Sequence, residues 1–195
     1  MALAAAAVAE LPPSDFSVTE DQVRTGIAQM RIPGRIERVQ QSPLVLLDGA
    51  HNPQKIGALA ANLEMLAPAG SGGMRTVIFG ALDSKNHWEM LAALIPYAGR
   101  FVFTTPQVVG KQGYPPGELV EQVRALGFRG EAFVVPQPLE ALKFAFATSG
   151  PDDAIVVTGS MYLAGNIREY WYSTWDIVLQ RTPWPEQQFG YLAKQ

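Results

Sequence analysis

Apolar positions along the chain switch between two periods. Leu44, Val45, Leu46 and Leu47 form an unbroken apolar run, the pattern of a strand buried on both faces. Beyond them, Ile56, Leu59, Ala60, Leu63 and Leu66 recur at helical spacing, which predicts one helix over about 53–66 with a single buried face. Between the two, Asp48-Gly49-Ala50-His51 turns the chain. Asn52-Pro53 then supplies an N-cap and a first helical residue. The alternation continues: strands are expected near 75–80, 100–104, 131–135 and 154–158, and helices near 86–95, 115–126, 138–148 and 161–173. Strand and helix at this spacing predict parallel βαβ units with helices on both faces. Upstream, residues 36–40 alternate and lie only Gln41-Ser42-Pro43 away from the 44–48 run, so an antiparallel edge hairpin is expected. Thr19 followed by Glu20 and Asp21 marks the start of a short helix to about Met30, with Val23, Ile27 and Met30 on one side. The fold class read from these periods is α/β. It is a Rossmann-like three-layer domain with a mostly parallel sheet of about six strands and one antiparallel edge strand.

The remaining segments are punctuation. Met1 to Ala9 is alanine-rich and lacks the basic region of a signal peptide, so it reads as a helix end. Leu11-Pro12-Pro13-Ser14-Asp15 reads as a linker, and Gly70-Ser71-Gly72-Gly73 as a flexible loop at a strand start, on the wrong edge to hold phosphate. Trp184, Phe189 and Tyr191 lie among prolines and polar residues in a tail whose packing the pattern leaves open.

Composition narrows the functional classes. With 195 residues, 48% hydrophobic and 17% charged, the chain suits one domain with a sizeable core. A net charge of −3 gives no basic surface, so nucleic acid and anionic membrane are not expected partners. The absence of cysteine excludes a disulfide scaffold and any thiolate site, and two histidines argue against a multi-histidine metal site; no metal ligand is assigned. No apolar run approaches a membrane span of about 20 residues. The cytoplasm is the expected compartment.

Residues that follow each predicted strand gather on one sheet edge. They are Asp48, His51 and Asn52; Asp83, Ser84, Lys85 and Asn86; Thr104 and Thr105; and Thr158, Gly159 and Ser160. Open α/β sheets bind ligands at the carboxyl ends of their strands, and a helix start favours anions. Arg35, after Pro33-Gly34, carries a fixed cation with a fork of donors suited to phosphate. Each residue also has an ordinary reading: a capping turn at a strand end, a satisfied histidine, a solvated arginine.

The string Asp48-Gly49-Ala50-His51-Asn52-Pro53, with Pro33-Gly34-Arg35-Ile36-Glu37 ahead of it, resembles the C-terminal domain of the folylpolyglutamate synthase/dihydrofolate synthase family, which is Mur ligase-like. Val77 to Leu82 and Val156 to Leu163 continue the resemblance in order, over about residues 15–175. The resemblance implies an ATP-dependent amide ligase that adds glutamate to dihydropteroate or to a folate polyglutamate tail through an acyl phosphate. It implies ATP and Mg²⁺ as cofactors, with most metal ligands in a P-loop N-terminal domain that is the expected partner. It implies nucleotide contacts from Arg35 and Asp48, with Asn52 close to the nucleotide. It places His51 and Ser160 near the reacting centre and the incoming amino acid. Lys85 and His87 occupy a stretch where the family often has a lysine flanked by acids; here the second acid is missing. Glu89, Tyr97 and Trp88 read as structural. The implied division is 1–14 as a helix end or linker, 15–176 as the ligase-like domain, and 177–195 as a tail. No G-x-x-x-x-G-K-[ST] occurs, so the chain alone is expected not to ligate. Two alternatives remain: a non-catalytic nucleotide-binding or partner module of the same fold, and a domain of a cell-wall Mur ligase.

Overall fold

The computed structural model describes residues 2–10, 18–30, 32–69 and 72–180. It divides into two units, Met1–Pro33 and Gly34–Gln195. The first holds α1 (Ala2–Ala9) and α2 (Glu20–Gln29). A capping box starts α2: the Gln22 amide donates to Thr19 Oγ1 at 3.2 Å and the Thr19 amide donates to Gln22 Oε1 at 2.8 Å. Glu20 and Asp21 lie in its first turn, as expected, but none of its residues is buried. The expected linker at 11–15 and the tail from 182 both lie outside the described residues.

The second unit is the α/β domain. Its elements are β1 (Glu37–Gln41), β2 (Leu44–Leu47), α3 (Pro53–Ala60), α4 (Leu63–Leu66), β3 (Arg75–Phe79), α5 (His87–Leu94), β4 (Arg100–Phe103), α6 (Pro116–Ala125), β5 (Glu131–Val134), α7 (Pro138–Ala147), β6 (Ala154–Thr158), α8 (Met161–Arg168) and α9 (Thr174–Gln180). The sheet order is β1-β2-β6-β3-β4-β5. β1 pairs antiparallel with β2, and every other pair is parallel. From β3 the chain winds outward to β5. It then returns to insert β6 between β2 and β3, which brings the carboxyl ends of β2, β6 and β3 side by side.

Alternate strand residues build a core on each face. Leu46, Val77, Phe79, Phe101, Phe103 and Val156 pack under α3, α5 and α6 through Ile56, Leu59, Met90, Leu91, Leu94, Leu119 and Val123. Val45, Leu47, Ile78, Val102, Ile155 and Val157 pack under α7 and α8 through Ala141, Leu142, Ala145, Leu163 and Ile167. The central strands are apolar on both faces because both faces are covered.

Two helix expectations are corrected. The helix over 53–66 is two pieces. Asn62 leaves the helical region (φ −114°, ψ 2°) and its Nδ2 donates to the Ala58 carbonyl at 2.8 Å, so a side chain takes a carbonyl that a backbone amide would otherwise take. Leu63 remains buried, which is why the apolar period runs on through the break. The helix over 161–173 stops at Arg168. Tyr170 and Trp171 turn back to pack against Phe146, one tilted and one edge-on, ring centroids 5.6 and 6.1 Å away, and Glu169 then accepts from the Thr174 amide at 2.9 Å to start α9. That helix spans position 176, where the sequence places the domain's end.

The amino edge of the sheet is built for structure. Buried Arg75 donates to the carbonyls of Ala67 and Tyr97 at 2.9 and 2.8 Å, and Arg100 donates to the Thr148 carbonyl at 2.9 Å, each closing a helix end. The glycine loop before β3 lies partly outside the described residues; Gly72 in it has φ +81°. Among the described residues no helix is long and apolar enough to cross a membrane.

Candidate functional site

The site is assembled where β2, β6 and β3 end. The Asp48 amide makes the last ladder bond of β2, donating to the Val157 carbonyl at 2.9 Å. Its carboxylate then turns back over the chain. Oδ1 accepts from the Ala50 amide at 2.8 Å and Oδ2 from the Ile36 amide at 3.0 Å. Asp48 is 9% exposed; its bond to Ala50 is buried and its bond to Ile36 is partly buried. One charged group thus ties the exit of β2 to the turn that enters β1.

That turn carries Arg35. The Gly49 amide donates to the Gly34 carbonyl at 2.6 Å, and Gly34 has φ +60°. Ile36 has φ +50°, a left-handed conformation that costs a β-branched residue on the order of 1–3 kcal/mol. The Arg35 side chain between them is exposed and makes no hydrogen bond or ion pair among the described residues. It is a cation that this edge leaves available among the described residues. Gly49 is required by close approach: a Cβ there would sit 1.7 Å from Met161 Sδ, because the first residue of α8 lies directly over it.

Next along the turn, His51 Nδ1 lies 2.8 Å from the Gly49 carbonyl, and its Nε2 lies 3.4 Å from Lys55 Nζ. A carbonyl only accepts, so Nδ1 carries the proton; the Nε2 lone pair faces the ammonium. Asn52 caps α3, its Oδ1 accepting from the Lys55 amide at 2.9 Å. Lys55 was not singled out from sequence. The available signal was its i,i+4 spacing from His51, which puts both on one side of the helix start.

On β6, the Gly159 amide donates to the Ala50 carbonyl at 2.9 Å with φ +102°. Ser160 is 3% exposed and caps α8, Oγ accepting from the Tyr162 amide at 3.1 Å. The structure therefore brings Arg35, Asp48, His51, Asn52 and Ser160 to adjoining strand ends. It leaves Arg35 free to meet a ligand, while Asp48, Asn52 and Ser160 each hold a backbone amide.

The β3 and β4 ends behave differently. Buried His87 has Nε2 2.9 Å from the Leu82 carbonyl and its ring 4.0 Å from that of Tyr114. It is an internal residue. Asn86 caps α5, accepting from the Glu89 amide at 3.3 Å, and Glu89 accepts in return from Asn86 Nδ2 at 2.7 Å. Thr104 donates to the Pro136 carbonyl at 3.0 Å, so its hydroxyl is consumed inside the fold. Trp88, read as structural, is half exposed. Lys111, in the loop after β4, donates to the Tyr162 hydroxyl at 2.6 Å, and Gln107 and Asn166 exchange two hydrogen bonds, which fastens that loop to α8. Tyr114 donates to Glu118 at 2.7 Å; that carboxylate, with burial, raises the phenol above its usual range. Among the described residues no group of three or more His, Cys, Asp or Glu is arranged to hold a metal ion.

Residues 34–161 match the family described as Mur ligase, glutamate ligase domain. The chain is 32% identical over 160 residues to folylpolyglutamate synthase of Lacticaseibacillus casei, covering 80% of this chain and 33% of that protein. Escherichia coli FolC solved with DHPP and ADP superposes with a TM-score of 0.70 at 25% identity, over 90% of this chain and 38% of that one. A bifunctional folylpolyglutamate synthase/dihydrofolate synthase with Mn, AMPPNP and L-glutamate bound gives a TM-score of 0.65 at 25% identity, over 86% and 37%. The chain spans about a third of the length of these relatives.

Proposed function

The chain belongs to the Mur ligase glutamate-ligase-domain family, and from that premise we propose that it is the C-terminal domain of an ATP-dependent ligase that adds glutamate to dihydropteroate or to a folate glutamyl tail through an acyl phosphate. Residues 15–176 constitute the ligase-like domain, 1–14 lead into it and 177–195 follow it. The partner is a P-loop N-terminal domain that supplies the phosphate loop and most Mg²⁺ ligands, and the enzyme works in the cytoplasm.

The observation that carries this reading is Arg35: an exposed guanidinium without a protein partner among the described residues, on a turn whose flanking amides are pinned. A planar fork of donors at a strand-end edge fits a nucleotide phosphate. ATP supplies the phosphoryl group that makes the acceptor carboxylate reactive. Arg35 meets the phosphates and offsets the charge that develops on transfer. Asp48 holds the Arg35 turn through Ile36 and lies beside the nucleotide. Asn52 fixes the start of α3. His51, with its Nδ1 proton committed to the Gly49 carbonyl, and Ser160, at the start of α8, border the incoming glutamate. L-glutamate and a nucleotide analogue are bound in one relative of this fold, and DHPP and ADP in another, which supports the pairing of these ligands.

The test is mass spectrometry of a reduced folate incubated with the purified chain, Mg²⁺-ATP and glutamate. No glutamyl addition is expected from the chain alone, only weak nucleotide binding, because the sequence has no Walker loop. Addition is expected once a P-loop N-terminal domain of a folylpolyglutamate synthase is supplied, and Arg35→Ala should abolish most of it. Ligation by the chain alone, or by the Arg35→Ala pair at full rate, overturns the proposal.

A further inference from the structure

Three hydrogen bonds hold the Arg35 turn: two fix the peptide groups on either side of Arg35, and the third, on the Gly34 amide one peptide earlier, leads away from the strand ends through Glu37 to a residue 131 positions later. The Gly34 amide donates to Glu37 Oε2 at 2.8 Å. Both Glu37 oxygens also accept from Arg168 Nε, each at 3.1 Å. The two side chains are 15% and 12% exposed, so this is an ion pair with little solvent to replace either partner. Arg168 is the last residue of α8, where the helix dipole favours a cation, and its guanidinium lies over the Tyr172 ring at 4.2 Å. It is held on two sides, by Glu37 and by Tyr172. The second clamp is Asp48 on the Ile36 amide, and the third is the Gly49 amide on the Gly34 carbonyl.

We propose that Glu37 and Arg168 are a positioning pair for Arg35. The pair touches no ligand. It keeps the Gly34–Ile36 turn in a conformation that the turn does not favour, since Ile36 sits at φ +50° and relaxes to a different backbone direction once a clamp is lost. Arg35 makes no hydrogen bond or ion pair of its own among the described residues, so its aim is set by the peptide groups around it. The same pair joins the turn to α8, whose first turn caps on Ser160. The nucleotide and amino-acid sides of the proposed site are thereby built on one rigid strut. This inference rests on the reading that Arg35 meets nucleotide phosphate.

The experiment is calorimetric titration of ADP into the chain and its Arg35→Ala, Glu37→Gln, Arg168→Lys and Glu37→Gln/Arg35→Ala variants, each checked for folding by circular dichroism. Amide exchange at Gly34 and Ile36 is followed by NMR. Arg35→Ala is expected to weaken ADP by about tenfold, the scale of one charge-assisted hydrogen bond. Glu37→Gln should weaken it by about threefold to tenfold while the protein stays folded, and should speed exchange at Gly34 and Ile36. Arg168→Lys, which keeps the charge but loses the stacked plane, should fall between Glu37→Gln and the wild type. The double variant should bind no more weakly than Arg35→Ala, because positioning has nothing left to position. A folded Glu37→Gln that binds like the wild type, or losses that add in the double variant, overturns the positioning role while leaving the function intact. An unchanged affinity in Arg35→Ala, or no ADP binding by the wild type, overturns the nucleotide reading itself.

Discussion

Asp48→Asn is the sharpest test of how the site is held. The change is nearly isosteric and keeps one acceptor oxygen, but it replaces the other oxygen by a donor. The two amides that Asp48 serves differ. Ala50 is 4% exposed and has no water to turn to, whereas Ile36 is 49% exposed. The new amide oxygen therefore stays on Ala50, and the NH₂ is turned toward the Ile36 N–H, where two donors repel. The Ala50 bond drops from charge-assisted to neutral, a loss of about 1 kcal/mol, and the Ile36 bond, about 1.5–3 kcal/mol, is lost outright. Relaxation of Ile36 out of its left-handed conformation returns about 1 kcal/mol. The expected net loss is about 1.5–3 kcal/mol, or a fall in Tm of roughly 5–10 °C for a domain of this size. Urea unfolding should show the midpoint falling at constant slope. Asp48→Ala, which also orphans the buried Ala50 N–H, should cost about 3–5 kcal/mol. An Asn variant within about 0.5 kcal/mol of the wild type, the ordinary scatter of surface substitutions, would refute the claim that these two bonds hold the Arg35 turn.

Other outcomes follow from single contacts. Gly49→Ala places a Cβ against Met161 and should destabilise by about 1–3 kcal/mol in thermal unfolding, with most of the loss recovered by adding Met161→Ala, since the 1.7 Å clash is with the methionine sulfur. Arg75→Met should cost about 2–4 kcal/mol by leaving the Ala67 and Tyr97 carbonyls unpaired, while Glu64→Ala, which removes the exposed partner of the same arginine, should change urea midpoints by less than about 0.5 kcal/mol. Tyr114 should ionise above the usual tyrosine range in an absorbance titration because its hydroxyl donates to the Glu118 carboxylate. The folded form holds that proton more tightly than the unfolded chain, so the contribution to stability is complete below about pH 10 and is lost as pH rises through the raised folded value; Tyr114→Phe should flatten that alkaline decline.

The layout of the sheet was largely legible. Each of the six strands lies within a residue or two of its expected place, because strands covered on both faces must be apolar throughout and Leu44–Leu47 or Ala154–Thr158 leave little else to be read. The order was not legible. β6 enters between β2 and β3 because its two faces complete both cores at once, through Val156 on one side and Val157 on the other, and no local pattern records which neighbours a strand will have. The helix breaks were missed for a related reason. Leu63 keeps helical phase after Asn62 has taken over a backbone hydrogen bond, and Trp171 leaves α8 for an aromatic cluster around Phe146 that is remote in sequence.

Side-chain chemistry at the strand ends can be read from sequence; its prior commitments cannot. A sheet edge that turns into helices exposes amides that need acceptors, so many polar residues gathered there serve the chain itself. Asn52 and Ser160 spend an oxygen on capping, Asp48 spends both oxygens on turns, Thr104 donates inward, and His51 is fixed by a main-chain carbonyl. Counting polar groups at the edge therefore overstates what can meet a ligand, and subtracting the groups already bonded is the more discriminating step. Of the five residues singled out for the site, that subtraction leaves Arg35 with its whole donor set unspent among the described residues. The acids and caps around it then acquire a physical role that their identities alone did not suggest. Asp48 and Glu37 hold a strained turn that carries one exposed guanidinium, and the partner of longest reach in that arrangement, Arg168 acting through Glu37, lies where no motif would have looked.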